Sequence, residues 1–153
     1  MSIFQGLHAS ASALTTQRLR MDVISSNMAN VDTTRARMVD GEWQPYRRKS
    51  VSLQPQEAQF SSFLGVAMGK TTNSSAGEGV RVSRIREDNQ TPFKPVFDPE
   101  HPDADDQGYV QMPNVDPLRE MVDLMSATRT YEANVTVLNA NKSMLMKALE
   151  IGK

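Results

Sequence analysis

The chain has 153 residues, a formal net charge of -1 and no cysteine. This length suits one domain or one small assembly subunit, and the missing cysteine excludes disulfides, thiolate zinc sites and cysteine nucleophiles. The near-zero charge argues against nucleic-acid binding, because such proteins normally carry a basic excess. All eight prolines lie between Pro45 and Pro117. Since proline costs about 3 kcal/mol inside a helix, the two ends can form long helices and the middle cannot.

The N-terminal segment, residues 3–30, predicts one long helix. Apolar residues recur every seven positions, and the positions three residues before them would complete a coiled-coil seam. The repeat is Leu7, Leu14, Met21 and Met28, and the preceding positions are Phe4, Ala11, Arg18 and Ser25. Frequent Ser, Thr and Asn give this segment only moderate helix propensity, so we expect it to need a packing partner.

The C-terminal segment, residues 117–150, predicts a second helix. Asp116 is a suitable N-cap, and Pro117 fits the first helical position, where its missing N–H costs nothing. One seven-residue repeat consists of Leu124, Tyr131, Leu138 and Leu145, and the second seam position is filled by Met121, Thr128, Val135, Lys142 and Leu149. The simplest interpretation is a core seam in which each helix, about 40–50 Å long, packs against the other. Apolar residues remain outside the seam and indicate contacts with further subunits: Ile3, Leu19, Ile24, Met125 and Met146.

Between the helices the pattern predicts a small β-hairpin module. Residues 80–86 alternate apolar and polar side chains as a strand does, and 109–112 predict a short strand. Residues 65–79 predict a Gly/Ser-rich loop in which the glycines carry no motif, and the proline-rich, acidic residues 92–108 predict an irregular connection. The predicted segments are 1–34, 35–115 and 116–153, with the first and last forming one helical domain. The fold class is therefore mainly α with a small β insert.

The acidic loop around His101 is the main candidate for chemistry. Asp103, Asp105 and Gly108 resemble the start of a calcium-binding loop, but Asn114 stands where that loop requires a glutamate. We interpret the loop as solvated turns in which aspartates cap backbone N–H groups. The chain has no catalytic or cofactor-binding motif, so we expect neither an enzyme nor a metal or cofactor site.

The sequence also predicts no membrane span and no cleaved leader. No stretch approaches the roughly 18 apolar residues that a span requires. The first 20 residues lack the basic start and the apolar run of a secretory signal. We therefore expect a protein that is cytoplasmic or is exported without a cleaved leader.

Three motifs resemble the bacterial flagellar rod and hook proteins, known as the axial protein family. The segment 25–34, SSNMANVDTT, resembles the motif that closes the N-terminal helix of this family, and 121–152 resembles its C-terminal helix. The run 101–115, HPDADDQGYVQMPNV, is narrower and resembles the proximal rod members. Thr34-Arg35 stands where relatives often have Gly-Tyr. The motif residues are Asn27, Ala29, Asn30, His101, Pro102, Asp103, Gly108, Tyr109 and Asn134.

The resemblance implies a structural subunit of the flagellar proximal rod. Members of the family are exported through the flagellar type III apparatus and polymerise into a helical tube across the periplasm. Their terminal helices pair as an antiparallel coiled coil, the tube transmits torque to the hook, and exported subunits pass through it. The implied partners are other rod proteins, the rod-to-ring junction protein, the membrane ring and copies of the chain itself.

The helical repeats alone permit a second interpretation. A soluble coiled-coil adaptor or export chaperone would show the same seven-residue repeats without forming a polymer. Presence of the protein in purified basal bodies distinguishes the two, because an adaptor would be absent from them.

Overall fold

The computed structural model describes residues 3–56, 68 and 79–151. The chain divides into two compact units, each assembled from separate stretches of sequence. The first unit consists of Met1–Leu19, Ser52–Arg84 and Ala127–Lys153, and the second of Arg20–Val51 and Ile85–Ser126. Apart from Met68 and Gly79, the loop predicted over 65–79 lies outside the described residues.

Two long helices occupy the ends of the chain, as the proline distribution predicts. Helix α1 spans Ile3–Ala29, and helix α2 spans Pro117–Ile151. The predicted start of α2 is confirmed, because the Asp116 carboxylate accepts a hydrogen bond of 3.1 Å from the Leu118 N–H. The Asp116 carbonyl also accepts the Glu120 N–H at 3.0 Å. Asp116 is therefore a complete N-cap, in the arrangement that begins helices most often.

The middle contains three separate two-stranded sheets among the described residues, where the sequence predicted one hairpin module. Strands β1 and β2 pair antiparallel, as do β5 and β6, and β3 pairs with β4. The strands are β1 Arg37–Val39, β2 Glu42–Gln44, β3 Lys49–Pro55, β4 Val80–Glu87, β5 Lys94–Phe97 and β6 Tyr109–Met112. The predicted strands over 80–86 and 109–112 are thus confirmed.

Strand β5 corrects the irregular connection predicted over 92–108. Val96 pairs with Val110, and Phe97 pairs with Tyr109. Pro95 is tolerated in this strand because a two-stranded sheet consists of edge strands, where a missing N–H need not remove a ladder bond. The rings of Phe97 and Tyr109 also meet edge to face at 5.3 Å, a geometry that stabilises aromatic pairs.

The hairpin β1–β2 turns through Asp40 and Gly41, which the sequence analysis did not single out. Val39 pairs with Glu42, so the connection has two residues. Both have positive φ, 53° for Asp40 and 89° for Gly41. An Asp-Gly pair is the usual choice for such a turn, because Asp tolerates the left-handed conformation and Gly adopts it at no steric cost.

Side chains of the two helices come close within each unit. In the second unit Arg20 bonds to Asp123 and Asn27 bonds to Glu120. In the first unit a Cβ on Gly6 would lie 3.6 Å from the Asn141 side chain. Ile24 is only 5% exposed within the chain, so the prediction that it is left for contact with a further subunit is wrong.

Candidate functional site

The most distinctive feature of the second unit is a buried cluster of polar side chains, here called the polar hub. It brings together the end of α1, the segment before β3, the segment before α2 and the first turns of α2. Its members are Asn27, Tyr46, Arg48, Asn114 and Glu120, together with the backbone of Lys49. A buried polar group without a partner costs about 1–3 kcal/mol, so such a cluster forms only when its geometry is nearly complete.

Asn27 lies at the centre of the hub and is 1% exposed. Its amide group donates to the Lys49 carbonyl at 2.8 Å and to the Glu120 carboxylate at 3.0 Å. Its Oδ1 accepts the Lys49 N–H at 2.9 Å and the Tyr46 hydroxyl at 3.0 Å. All four sites of the amide are therefore used, and one side chain joins three segments that are far apart in sequence.

Glu120 is fully buried at 0% exposure, and an arginine compensates its charge. The Arg48 Nε donates to Glu120 Oε1 at 2.6 Å. The same guanidinium forms an ion pair with the Asp123 carboxylate at 3.4 Å. Asp123 forms a second ion pair, also at 3.4 Å, with the guanidinium of Arg20 on α1. A buried carboxylate is stable only when paired and hydrogen-bonded, and Glu120 has both Arg48 and Asn27 for this purpose.

Asn114 extends the hub to the segment between β4 and β5. Its Oδ1 accepts the Arg48 N–H at 2.8 Å. Its amide group donates to the carbonyls of Asp88 and Thr91, at 3.0 and 3.1 Å. Asn114, which stands where a calcium-binding loop requires a glutamate, is thus a buried residue, 5% exposed, whose side chain bonds to the backbone of three other residues.

The acidic loop contacts the segment that follows α1. The Asp103 carboxylate accepts hydrogen bonds from the Thr34 hydroxyl, at 2.7 Å, and from the Arg35 guanidinium. The Arg35 hydrogen bond, followed by that of Thr34, lowers the pKa of Asp103 from its ordinary value of 3.8. Thr34 and Arg35 therefore hold the loop through bonds to a carboxylate, which are stronger than neutral hydrogen bonds.

The same loop is built from the aspartate turns that the sequence predicts. Asp105 Oδ1 accepts the N–H groups of Gln107 and Tyr109, at 2.9 and 2.8 Å. The Asp103 N–H donates to His101 Nδ1 at 3.1 Å, so that nitrogen is an acceptor. Among the described residues no group of three or more His, Cys, Asp or Glu side chains is arranged to hold a metal ion.

Comparison with known proteins gives matches at both ends of the chain and along its full length. Residues 7–37 match the family model described as flagella basal body rod protein, and residues 106–151 match the C-terminal model of the flagellar basal body rod FlgEFG proteins. The chain is 63% identical to the flagellar basal-body rod protein FlgC of Bacillus subtilis over 153 residues, which is all of both chains. It belongs to the FlgC family of flagellar basal-body rod proteins.

More distant FlgC proteins also align over nearly the whole chain. That of Borreliella burgdorferi is 43% identical, with 99% of this chain and 98% of the relative covered. That of Salmonella typhimurium is 41% identical, with complete coverage of both. Asn27 lies in the N-terminal matched segment and Glu120 in the C-terminal one, so their direct hydrogen bond joins the two matched segments. Arg48, which also bonds to Glu120, lies outside both.

The FlgC-family motif residues occupy several different environments. Asn27 is in the hub, while Asn30 is half-buried and donates to the Ser26 carbonyl at 2.8 Å. Gly108 has φ of 81°, and a Cβ there would lie 3.0 Å from the Phe97 ring. Asn134 donates to the Thr130 carbonyl within α2 at 2.8 Å. Among the other motif positions, His101 and Asp103 are half-buried, while Ala29, Pro102 and Tyr109 are exposed.

The eight predicted seam residues have similar exposure in this FlgC-family chain. All are half-buried, namely Leu7, Leu14, Met21, Met28, Leu124, Tyr131, Leu138 and Leu145. The second seam position is less uniform. Phe4, Ala11, Arg18 and Ser25 are exposed, as are Met121, Lys142 and Leu149, whereas Thr128 and Val135 are half-buried. On α2 the fully buried residues are Glu120 and Ala127, each one residue before a predicted seam position.

The shift on α2 has a clear cause. The sequence analysis preferred Met121 because it is apolar, whereas the buried neighbour is a charged residue. Glu120 is buried because Arg48 and Asn27 compensate it, and neither partner is close in sequence. No periodicity of apolar residues can reveal a buried position that is filled by a paired carboxylate.

The sequence analysis also missed a polar contact in the first unit. The Ser12 hydroxyl accepts the Val80 N–H at 3.0 Å, and the Thr16 hydroxyl donates to the Val80 carbonyl at 3.3 Å. Any Cβ on Gly79 would collide with the Ser12 hydroxyl, so this glycine allows the close approach of β4 to α1. Ser and Thr four positions apart on one helix face were the available signal.

No helix within the described residues is long and apolar enough to cross a membrane. The longest, α2, carries charged side chains throughout its length, including Arg119, Arg129 and Lys142.

Proposed function

We propose that this chain is a structural subunit of the flagellar basal-body rod, assembled with other rod proteins and with copies of itself. The observation that supports this most strongly is the 63% identity to a FlgC protein along the full length of both chains. The polar hub fits this role, because a subunit under mechanical load requires rigid joints between its segments and does not require a reactive centre.

We also propose how the subunit works in the rod. The terminal helices pair as an antiparallel coiled coil and form a helical tube, with residues 35–115 as an insert between the helical segments 1–34 and 116–153. The tube lies in the periplasm, transmits torque from the membrane ring to the hook, and lets exported subunits pass. The subunit reaches it by type III export without a cleaved leader. The rod-to-ring junction protein and the membrane ring are the partners at its base.

The half-buried leucines of α2 supply the first test. Leu138→Asp combined with Leu145→Asp places two carboxylates on the predicted seam, where burial of an unpaired charge is costly. We expect loss of rod assembly and of swimming. Thr136→Asp with Ser143→Asp is the matched control, since it adds the same charges at the same spacing on exposed positions.

Soft-agar swimming and immunodetection in purified basal bodies are the measurements. Normal swimming of the Leu138/Leu145 variant would contradict the proposed seam. Loss of swimming in the control variant as well would show that negative charge anywhere on this part of α2 is harmful. Absence of the wild-type chain from basal bodies would instead favour an adaptor or chaperone and would refute the rod function itself.

A further inference from the structure

In the first turns of α2 charged side chains face the rest of the chain and apolar side chains face outward, the reverse of the usual arrangement. Their inner side carries Glu120 and Asp123, both held in ion pairs. Their outer side carries four apolar residues, here called the outer apolar patch: Leu118 at 75% exposure, Met121 at 49%, Val122 at 54% and Met125 at 56%. The spacing i, i+3, i+4, i+7 places these side chains on one helix face, which is the pattern that a partner normally covers.

One charge beside the patch, that of Arg119, has no ion pair among the described residues. Of the charged side chains between Pro117 and Ser126, all of which the structure describes, only Arg119 is outside the ion pairs. Arg119 is exposed and adjoins Leu118 in sequence. The outer apolar patch therefore has an exposed guanidinium at its edge.

The same unit contains a cleft of the complementary kind, here called the acid-rimmed cleft. Its volume is about 500 Å³, and it is lined by Asp22, Val23, Ser26, Lys49, Ile85 and Glu87. Ile85 is an exposed apolar surface at 47%. Asp22 and Glu87 lie on the rim with Lys49, and Arg37 pairs with Glu87 at 3.8 Å. Asp22 has no ion pair among the described residues, so its carboxylate is available to a cation from a partner.

We propose that the outer apolar patch of one copy of this chain docks in the acid-rimmed cleft of a second copy, with Arg119 facing Asp22 and Glu87. Charge complementarity selects this occupant, and the cleft volume lies in the range that accepts a few side chains. The patch and the cleft are different surfaces of one unit. When two copies make this contact, the first copy still has a free cleft and the second still has a free patch. Such head-to-tail contacts generate open polymers. The proposal rests on the rod function above and assigns one contact within the rod.

The absence of cysteine from the chain makes cross-linking a direct test. Leu118→Cys and Ile85→Cys are introduced together in the bacterium that encodes the chain, and isolated basal bodies are mildly oxidised. A disulfide requires the two Cα atoms to lie within about 7 Å. We expect a ladder of products containing only this chain, extending beyond the dimer. Leu118→Cys with Ser143→Cys is the control, because Ser143 is exposed and outside the cleft, and it should give no ladder.

Charge exchange tests the same contact in the cysteine background. Arg119→Asp or Asp22→Arg alone should lower the yield of cross-linked product about five-fold, as expected for loss of roughly 1 kcal/mol. The two changes together should restore the yield. If the two cysteines prevent the chain from entering basal bodies, the charge variants are made in the wild-type background. Swimming rate is then measured in place of the yield of cross-linked product.

The outcomes separate the two levels of the proposal. Normal incorporation without a ladder, or failure of the double charge exchange to recover, would overturn the patch–cleft contact and leave the rod function intact. Cross-links from the Leu118→Cys position to another rod protein would show that the occupant is not a second copy. Absence of the unaltered chain from basal bodies would refute the rod function instead.

Discussion

Asn27→Ala is the sharpest single perturbation of the polar hub. It removes four hydrogen bonds at once, two to the Lys49 backbone and one each to Tyr46 and Glu120. The backbone groups of Lys49 and one oxygen of the fully buried Glu120 would lose these partners. Because Asn27 is 1% exposed, water cannot replace the bonds without opening the structure.

The expected loss in free energy of unfolding is about 3–4 kcal/mol. Each hydrogen bond contributes about 1 kcal/mol net, and a buried group left without a partner costs about 1–3 kcal/mol. Alanine regains roughly 0.5 kcal/mol through its higher helix propensity. Since a whole domain is stable by about 5–15 kcal/mol, this one substitution should remove a large fraction of the stability.

Urea denaturation of the purified full chain, followed by circular dichroism, measures the change. Asn139→Ala is the matched control, because it is the same substitution inside a helix at an exposed position of α2. We expect the control to lie within about 0.5 kcal/mol of the wild type. A loss below about 1 kcal/mol for Asn27→Ala would refute the reasoning that the hub is tightly coupled.

Two further predictions concern the acidic loop and the contact between α1 and β4. The pKa of Asp103 is lowered in the folded state, so its contribution to stability is present above the ordinary value of 3.8 and disappears as the pH falls through the folded value. Urea unfolding should therefore give the wild type a larger free energy of unfolding than Asp103→Asn at about pH 7, and the difference should be smaller at about pH 3. A difference that stays constant with pH would contradict this prediction. Gly79→Ala should destabilise the chain by about 1–3 kcal/mol through overlap with Ser12, and its cost should be smaller in a Ser12→Ala background, which lacks the overlapping hydroxyl. An equal cost in both backgrounds, measured by thermal melting, would disprove this contact.

Much of the architecture follows from local sequence signals. The proline-free ends and the seven-residue repeats predicted both helices to within one or two residues, and Asp116-Pro117 marked the start of α2 correctly. These signals work because helix capping and proline exclusion act within a few residues. The alternation over 80–86 likewise predicted a strand that is present as Val80–Glu87.

The hub is the part of the site that sequence reasoning did not predict. In the sequence Asn27 is recognisable only as a motif residue, and nothing in it points to Glu120. In the structure Arg48 is half-buried and pairs with Glu120, 72 residues away. A side chain's partner at that separation is set by the fold and not by the neighbouring sequence.

The sequence by itself determined where the helices begin and end, the presence of strands between them and the family to which the chain belongs. These properties depend on local propensity and on motifs within single segments. Only the tertiary structure decided which face of each helix is buried, because polar residues such as Glu120 and Asn27 can fill a buried position once distant partners compensate them. It also decided that Leu118 and Met121 face outward, and so which surface remains for another subunit.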